Sequence, residues 1–262
     1  MKIGIVGAGR LGCAMGIGLS RKGFDISAVY SRNVNSARWL AQRALSVEIG
    51  NLTDIVNLAD VILIAVPDAH VEKIAVEMAV MSDEIGMNGK TFLHLSGALS
   101  SKELGPLAEK GAHIGSLHPL QTFADRENGW RGLEGIYFGF EGDEPAQKVA
   151  ETLAEAFKAG IIYLHAGDKY LYHAAACILS NYTVTIAHTS AKIFEKIGCS
   201  PEIAVKALMP LLDRTVSNIK SMGPAGALTG PVARGDAGTV AGHMAALREE
   251  LPEILDLYRA LG

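Results

Sequence analysis

Gly7, Gly9 and Gly12 stand in the spacing GxGxxG between an apolar run, Ile3 to Val6, and an Ala- and Gly-rich amphipathic stretch. This framing suits a dinucleotide pyrophosphate. The first glycine allows a tight turn, the second lets the pyrophosphate approach the backbone, and the third lets helix and strand pack closely. Arg10 and Leu11 lie among them at the start of the helix, where unpaired N–H groups and the positive dipole end favour an anion. A Gly-rich turn without a ligand is the bland alternative.

A dinucleotide domain reads the adenosine ribose at the end of its second strand, about 20 residues beyond the last glycine. An acidic residue there binds the 2′-hydroxyl, whereas arginine with small polar neighbours accommodates a 2′-phosphate. The segment is Tyr30-Ser31-Arg32-Asn33, without Asp or Glu. Arg32 offers a planar charged fork, and Ser31 and Asn33 add neutral donors. The expected cofactor is NADP(H) rather than NAD(H), against the reading of Arg32 as a solvated loop residue.

Ligands of such sheets bind beyond the carboxyl ends of the strands. Three later apolar runs end in Val66-Pro67-Asp68, His94-Leu-Ser96-Gly97-Ala98 and Ser116-Leu-His118-Pro119. The first, with Val66 and Pro67, is expected beside the nicotinamide. Hydride transfer to a carbonyl or imine needs a proton donor near the developing charge and fixed groups that orient the substrate. His118 and Ser96 suit these roles, although a strand-end histidine also caps backbone carbonyls, and His113 reads as structural.

Further along, His173, Cys177 and Asn181 recur at i, i+4 and i+8 of a helical stretch, on one face, with Lys169 a turn earlier. Polar groups on an Ala- and Leu-rich helix must be bonded or line a wet cavity. Helix packing or a dimer contact would also satisfy them, and Cys177 reads as a small buried hydrophobe. In the Gly-rich loop Ala227 to Asp236, Arg234 is a candidate carboxylate anchor and Asp236 a helix N-cap.

The elements that must position these residues follow from periodicity. Strand-like runs cover Lys2–Val6, Ile26–Tyr30, Ser46–Glu48, Val61–Ala65, Thr91–His94, His113–Leu117, Ile136–Glu141 and Ile161–Leu164. Helical patterns near Leu11–Lys22, Ser36–Gln42, Asn51–Ala59 and Val71–Met81 alternate with the first of them. Continuous apolar strands alternating with helices imply a doubly wound parallel sheet with right-handed crossovers. After about His165 the pattern is helical, beginning with a long helix over roughly residues 168–197. Gly198 caps it, Ser200-Pro201 starts the next helix, and Gly223-Pro224 closes that one. The expected domains are residues 1–165, binding NADP, and 166–262, helical and carrying substrate and dimer contacts.

Hydrophobic residues make up 49% of the 262 and charged ones 20%, as in an ordinary soluble protein. The net charge of −4 gives no basic footprint, so a nucleic-acid partner is not expected. Three widely spaced cysteines offer neither a disulfide framework nor a metal pattern, and a reducing cytoplasm is the expected compartment. The chain runs straight into a strand without a signal-peptide pattern. The stretch Leu171 to Ala191 is broken by His173, Asn181 and His188, so no membrane span is expected.

The segments GIVGAGRLG, HLSGA, HPLQTFAD, YFGFEGD, YHAAACILSNY and ALTGPVARGDAGTVAGH together resemble a bacterial family that joins a Rossmann-like domain to an uncharacterised helical domain. More distantly the layout is similar to ketopantoate reductase, pyrroline-5-carboxylate reductase and the deazaflavin-dependent NADP reductases. The resemblance implies an α/β fold of the 6-phosphogluconate dehydrogenase-like kind, with an N-terminal Rossmann-type parallel sheet and an all-helical C-terminal domain. It also implies a homodimer through the helical domain. Ketopantoate reductases carry K-x3-N-x3-N on the long helix. Here His173-x3-Cys177-x3-Asn181 keeps only the last asparagine, and the lysine role passes to His173 or Lys169.

The function expected from all this is NADPH-dependent reduction of a small carbonyl compound, a 2-oxo acid of ketopantoate type. His118 and His173 would be the candidate acids, Asn181 and Ser96 the orienting groups, with no metal. The alternatives are an imine reductase similar to pyrroline-5-carboxylate reductase and a non-enzymatic NADP(H) sensor.

Overall fold

In the computed structural model, which describes residues 1–81 and 86–262, the apolar runs become strands of one sheet. They are β1 (Lys2–Val6), β2 (Asp25–Tyr30), β3 (Val61–Ile64), β4 (Thr91–His94), β5 (His113–Pro119), β6 (Tyr137–Gly142) and β7 (Gly160–Tyr163). Among the described residues the sheet has seven strands in the order β2-β1-β3-β4-β5-β6-β7. Alternate residues of the central strands feed opposite faces, as the period of two requires. Val61 and Leu63 of β3 join one buried cluster, and Ile62 and Ile64 join the other.

Helices cover both faces. One carries α1 (Arg10–Arg21) and α2 (Val34–Arg43), and the other α3 (Leu52–Leu58), α4 (Val71–Met81) and the short α5 (Gly105–Ala108). The helix α6 (Glu144–Ala156) returns to the face of α1, where Ala146, Ala150 and Leu153 are buried. Local chemistry sets several starts. Asn33, Asn51 and Asp143 each accept a hydrogen bond from the backbone N–H three residues on.

The expected parallel sheet holds from β2 through β5, but β6 pairs antiparallel with β5 and parallel with β7. The reason is the connection. Between Pro119 and Tyr137 there is no crossover α-helix, only a 3₁₀ turn at Gly129–Leu133, and a parallel return needs such a crossover. That connection is tied to the first helices by Arg126, which donates to the Cys13 sulfur (3.2 Å) and the Ser36 carbonyl (3.1 Å). The stretch Ser46–Glu48 is not a strand, since only an isolated bridge joins Glu48 to Val29.

The chain divides into two units, Met1–Ala176 and Cys177–Gly262. The dividing point falls inside α7 (Lys169–Lys196), whose opening turns fold with the first unit. The second unit continues with α8 (Pro201–Ala227), α9 (Gly230–Ala233), α10 (Ala237–Glu250) and α11 (Leu255–Leu261). Ser200 caps α8, and Gly223 breaks it with φ +73°, where the sequence pattern places a stop. Its buried apolar cluster is small, comprising Leu247, Ile254 and Leu255 with Ile193, Met244, Leu251 and Tyr258 packed against them. Meanwhile α7 and α8 expose Ile178, Leu179, Tyr182, Val184, Leu211 and Met222. Among the described residues no helix is long and apolar enough to cross a membrane.

Candidate functional site

Two neighbouring features occupy the carboxyl edge of the first unit's sheet. The first is a cavity of about 330 Å³ lined by Gly7 to Gly9 after β1, Tyr30 to Arg32 after β2, and Ala65 to Pro67 after β3. Its glycines differ in what they permit. Gly7 has φ +103°, a left-handed backbone that only glycine adopts freely. A Cβ on Gly12 would overlap the Gly7 carbonyl oxygen, so helix and turn pack too closely for any side chain. A Cβ on Gly9 would meet nothing within 4 Å, which leaves open space where a pyrophosphate approaches. The cradle therefore fits a dinucleotide, and α1 begins at Arg10 with Gly9 as its N-cap.

Of the sequence-derived cofactor residues, Gly7, Gly9, Ser31, Arg32, Val66 and Pro67 line this cavity. Arg10, Leu11, Gly12 and Asn33 are not on its wall. Gly12 acts through packing, and the Asn33 side-chain oxygen accepts from Ser36 N–H as the cap of α2 (3.0 Å). The wall also holds His70, Lys73 and Glu77, which sequence reasoning missed. Their spacing of three and four residues places them on one helical face, and that polar stripe was the available signal.

The second feature is a polar cluster on the next two strands and the start of α7. Buried His94, at the end of β4, accepts from Ser96 N–H at Nδ1 (3.2 Å), so its Nε2 proton goes to the Ser100 carbonyl (3.0 Å). Ser96 Oγ accepts from the Ala98 and Leu99 amides and so shapes the turn. The turn's far end is held by Glu141, which accepts from Ser101 N and Oγ (2.6 and 2.7 Å). The Ser96 carbonyl points inward to the Ser116 hydroxyl and the Lys169 ammonium, both at 3.2 Å, and Lys169 Nζ also lies 2.6 Å from Ser116 Oγ.

His118, on β5, stands over this turn. Its Nδ1 is 2.9 Å from the Tyr172 hydroxyl, and the rings of His118 and His173 meet edge to face with centroids 6.0 Å apart. Both rings press on Gly97, where a Cβ would come within 3 Å of each. Where His118 Nδ1 accepts the Tyr172 phenol proton, the neutral ring carries its own proton on Nε2, which is then an N–H donor.

Charge in the cluster follows burial. Desolvation first, and then the Lys169 charge, pushes His118 down to about 3, so it is neutral throughout the physiological range. His94 is lowered to about 4, mainly by desolvation. Burial lowers Lys169 itself to about 8, partly offset by Glu141 and Asp68, and raises Tyr172 to about 12. At pH 7 Lys169 is thus a cation, while the His94 and His118 imidazoles and the Tyr172 phenol are uncharged. This changes what His118 offers, from an imidazolium acid to an uncharged N–H donor.

The structure brings Ser96, His118 and His173 together in the first unit. Asn181 belongs to the second unit, where it is exposed and its carbonyl accepts from Thr185 Oγ1. Arg234 follows α9, and Asp236 caps α10 through Thr239 N–H and Oγ1 (3.0 and 2.7 Å), the role its position implied. Among the described residues no His, Cys, Asp or Glu group could hold a metal.

Residues 1–119 match the family model of the Rossmann-like domain, and residues 136–262 match a domain of unknown function, DUF2520. No curated protein matches the sequence. Among solved structures, a candidate NADP oxidoreductase, BF3122 from Bacteroides fragilis, is 23% identical with a TM-score of 0.76, covering 99% of this chain and 95% of its own. Protein TM1727 from Thermotoga maritima is 27% identical with a TM-score of 0.72, covering 98% and 97%. A pyrroline carboxylate reductase from Plasmodium falciparum, with NADP bound, is 13% identical with a TM-score of 0.64, covering 98% and 95%.

Proposed function

We propose that this chain is an NADPH-dependent reductase of a small carbonyl compound, of 2-oxo acid type such as ketopantoate. The observation that carries the reading is the sharing of one sheet edge. The dinucleotide cradle lies at the ends of β1, β2 and β3, and the histidine cluster at the ends of the adjoining β4 and β5. NADP(H) is supported by Arg32 and Lys73 on the cavity wall and by the absence of an acidic residue after β2. When bound, that cofactor supplies a hydride.

The chain's own residues would then manage charge. His118 Nε2–H is an uncharged donor for the substrate oxygen, a role imidazole fills where its cation is suppressed. His173, packed beside it, is the proposed proton donor, while Ser96 shapes the turn and has only its own hydroxyl proton to offer substrate. Lys169 opposes a cationic iminium and favours negative charge growing on oxygen, with Asp68 and Glu141 tempering but not pairing it. The electrostatics therefore support a carbonyl over an iminium substrate. An imine reductase is the second reading, favoured by the likeness to the pyrroline carboxylate reductase.

A homodimer through the helical unit belongs to the same proposal. The apolar side chains that α7 and α8 expose exceed what the small cluster of the second unit buries, and a second copy would cover them. Titration with NADPH and NADH, followed by a panel of 2-oxo acids and cyclic imines, tests the reading. Preference for NADH, or turnover of imines alone, would refute it. Sedimentation as a monomer at micromolar concentration would remove the dimer.

A further inference from the structure

Lys169 is the least expected side chain of the cluster. It is 1% exposed, among the largest fully buried side chains, and it opens α7, where the positive end of the helix dipole opposes a cation. Among the described residues no carboxylate lies within 4 Å of its ammonium. Its hydrogen bonds go to the Ser96 carbonyl and the Ser116 hydroxyl, and its charge lies 5.9 Å from the Tyr172 ring. Burying an unpaired cation destabilises a fold, and such costs persist where function needs them.

We propose that Lys169 is a positioning residue of the reductase site: its buried ammonium clamps the Ser96 carbonyl and the Ser116 hydroxyl, fixing the Ser96-Gly97 turn on which His118 and His173 converge, without itself meeting substrate. The geometry supports this in three ways. Holding the Ser96 carbonyl inward turns the Gly97 N–H of the same trans peptide the opposite way. Ser96 Oγ and His94 fix the turn from its other sides. Gly97 has no room for displacement toward either ring. The groups facing Lys169 are His94 from β4, His118 from β5, Glu141 from β6, Asp68 after β3, and Tyr172 with His173 from its own helix. The catalytic part of this inference rests on the proposed reductase activity, whereas the clamp itself does not.

The test compares wild type with Lys169→Met, which keeps the length and apolar stem, and with Ser116→Ala, which removes one of the two anchors and leaves the charge. Backbone hydrogen exchange over residues 96–100 needs no activity. It is expected to rise roughly tenfold or more in Lys169→Met and less in Ser116→Ala, with α1 unchanged. In turnover with NADPH, Lys169→Met is expected to lose kcat by roughly tenfold or more at unchanged KM for NADPH. It should also lack the fall in kcat expected of wild type near pH 8, where Lys169 gives up its charge. Wild-type exchange in both variants would overturn the clamp. Loosened exchange with wild-type kcat and an intact limb near pH 8 would overturn the positioning role. Loss of NADPH binding together with global loosening would also overturn it, in favour of a purely structural lysine. If wild type reduces none of the carbonyl compounds or imines, the reductase reading fails while the exchange result still decides the clamp.

Discussion

Replacing Lys169 with methionine should remove a pH dependence of stability whose size follows from burial. The ammonium titrates at about 8 in the folded chain against an ordinary 10.5, because the buried charge has lost its water. That difference corresponds to about 3 kcal/mol. Below pH 8 the group is charged in both folded and unfolded chains, and the folded state bears the full penalty. Between pH 8 and 10.5 the folded chain releases its proton first, so the unfolded chain holds more protons and stability rises with pH. From pH 7 to pH 10 wild type should therefore gain roughly 2 to 3 kcal/mol relative to Lys169→Met. The only tryptophans, Trp39 and Trp130, both lie in the first unit, so urea unfolding followed by their fluorescence reports on the unit that contains Lys169. Other groups cancel in the difference between the two proteins, and Tyr172, near 12, titrates above the window. Parallel stability profiles from pH 7 to pH 10 would show that Lys169 is not an unpaired buried cation.

Three further outcomes follow from the same geometry. Arg32→Ala should weaken NADPH binding roughly tenfold or more while leaving NADH nearly unchanged, as measured by fluorescence titration; equal losses for both would deny a 2′-phosphate contact. Gly9→Ala enters open space and should keep the thermal midpoint yet lose NADPH affinity, whereas Gly12→Ala, forced against the Gly7 carbonyl, should cost about 1 to 3 kcal/mol of stability. His118→Ala should lower kcat by about 10²- to 10³-fold, and His118→Gln, which keeps an uncharged N–H donor, should retain more; equal rates for the two would remove the donor role.

What the sequence made legible was local. The glycine turn, the Arg32 segment, the Asp236 and Ser200 caps and the break at Gly223 each depend on a few neighbouring residues, and each stands where the pattern places it. The reversal of β6 was not legible, because it depends on a connection without a crossover helix, and apolar periodicity is blind to strand direction. His70, Lys73 and Glu77 were missed for a related reason. Their stripe is visible in the sequence, but whether it faces solvent or the cradle depends on how α4 packs on β3. Tyr172 reads as one more aromatic until β5 brings His118 within 2.9 Å of it.

The charge states were the least legible property, and they matter most to the chemistry. Residue type makes His118 an acid near neutral pH and Lys169 a surface cation. Burial reverses both assignments, since the medium that denies His118 its proton surrounds Lys169 as well and still leaves it charged at pH 7. The two effects are coupled, because the Lys169 charge is itself one of the causes that lower His118. A protonated His118 beside a protonated Lys169 would place two cations around one turn with, among the described residues, no carboxylate within 4 Å of the ammonium. The cluster avoids this by keeping the His118 ring neutral and the charge on buried Lys169. A donor that never carries charge cannot be titrated away in the physiological range. Any acidic limb in the activity of this protein between pH 5 and 8 must therefore come from a group other than His118, and its persistence in His118→Gln would establish that assignment.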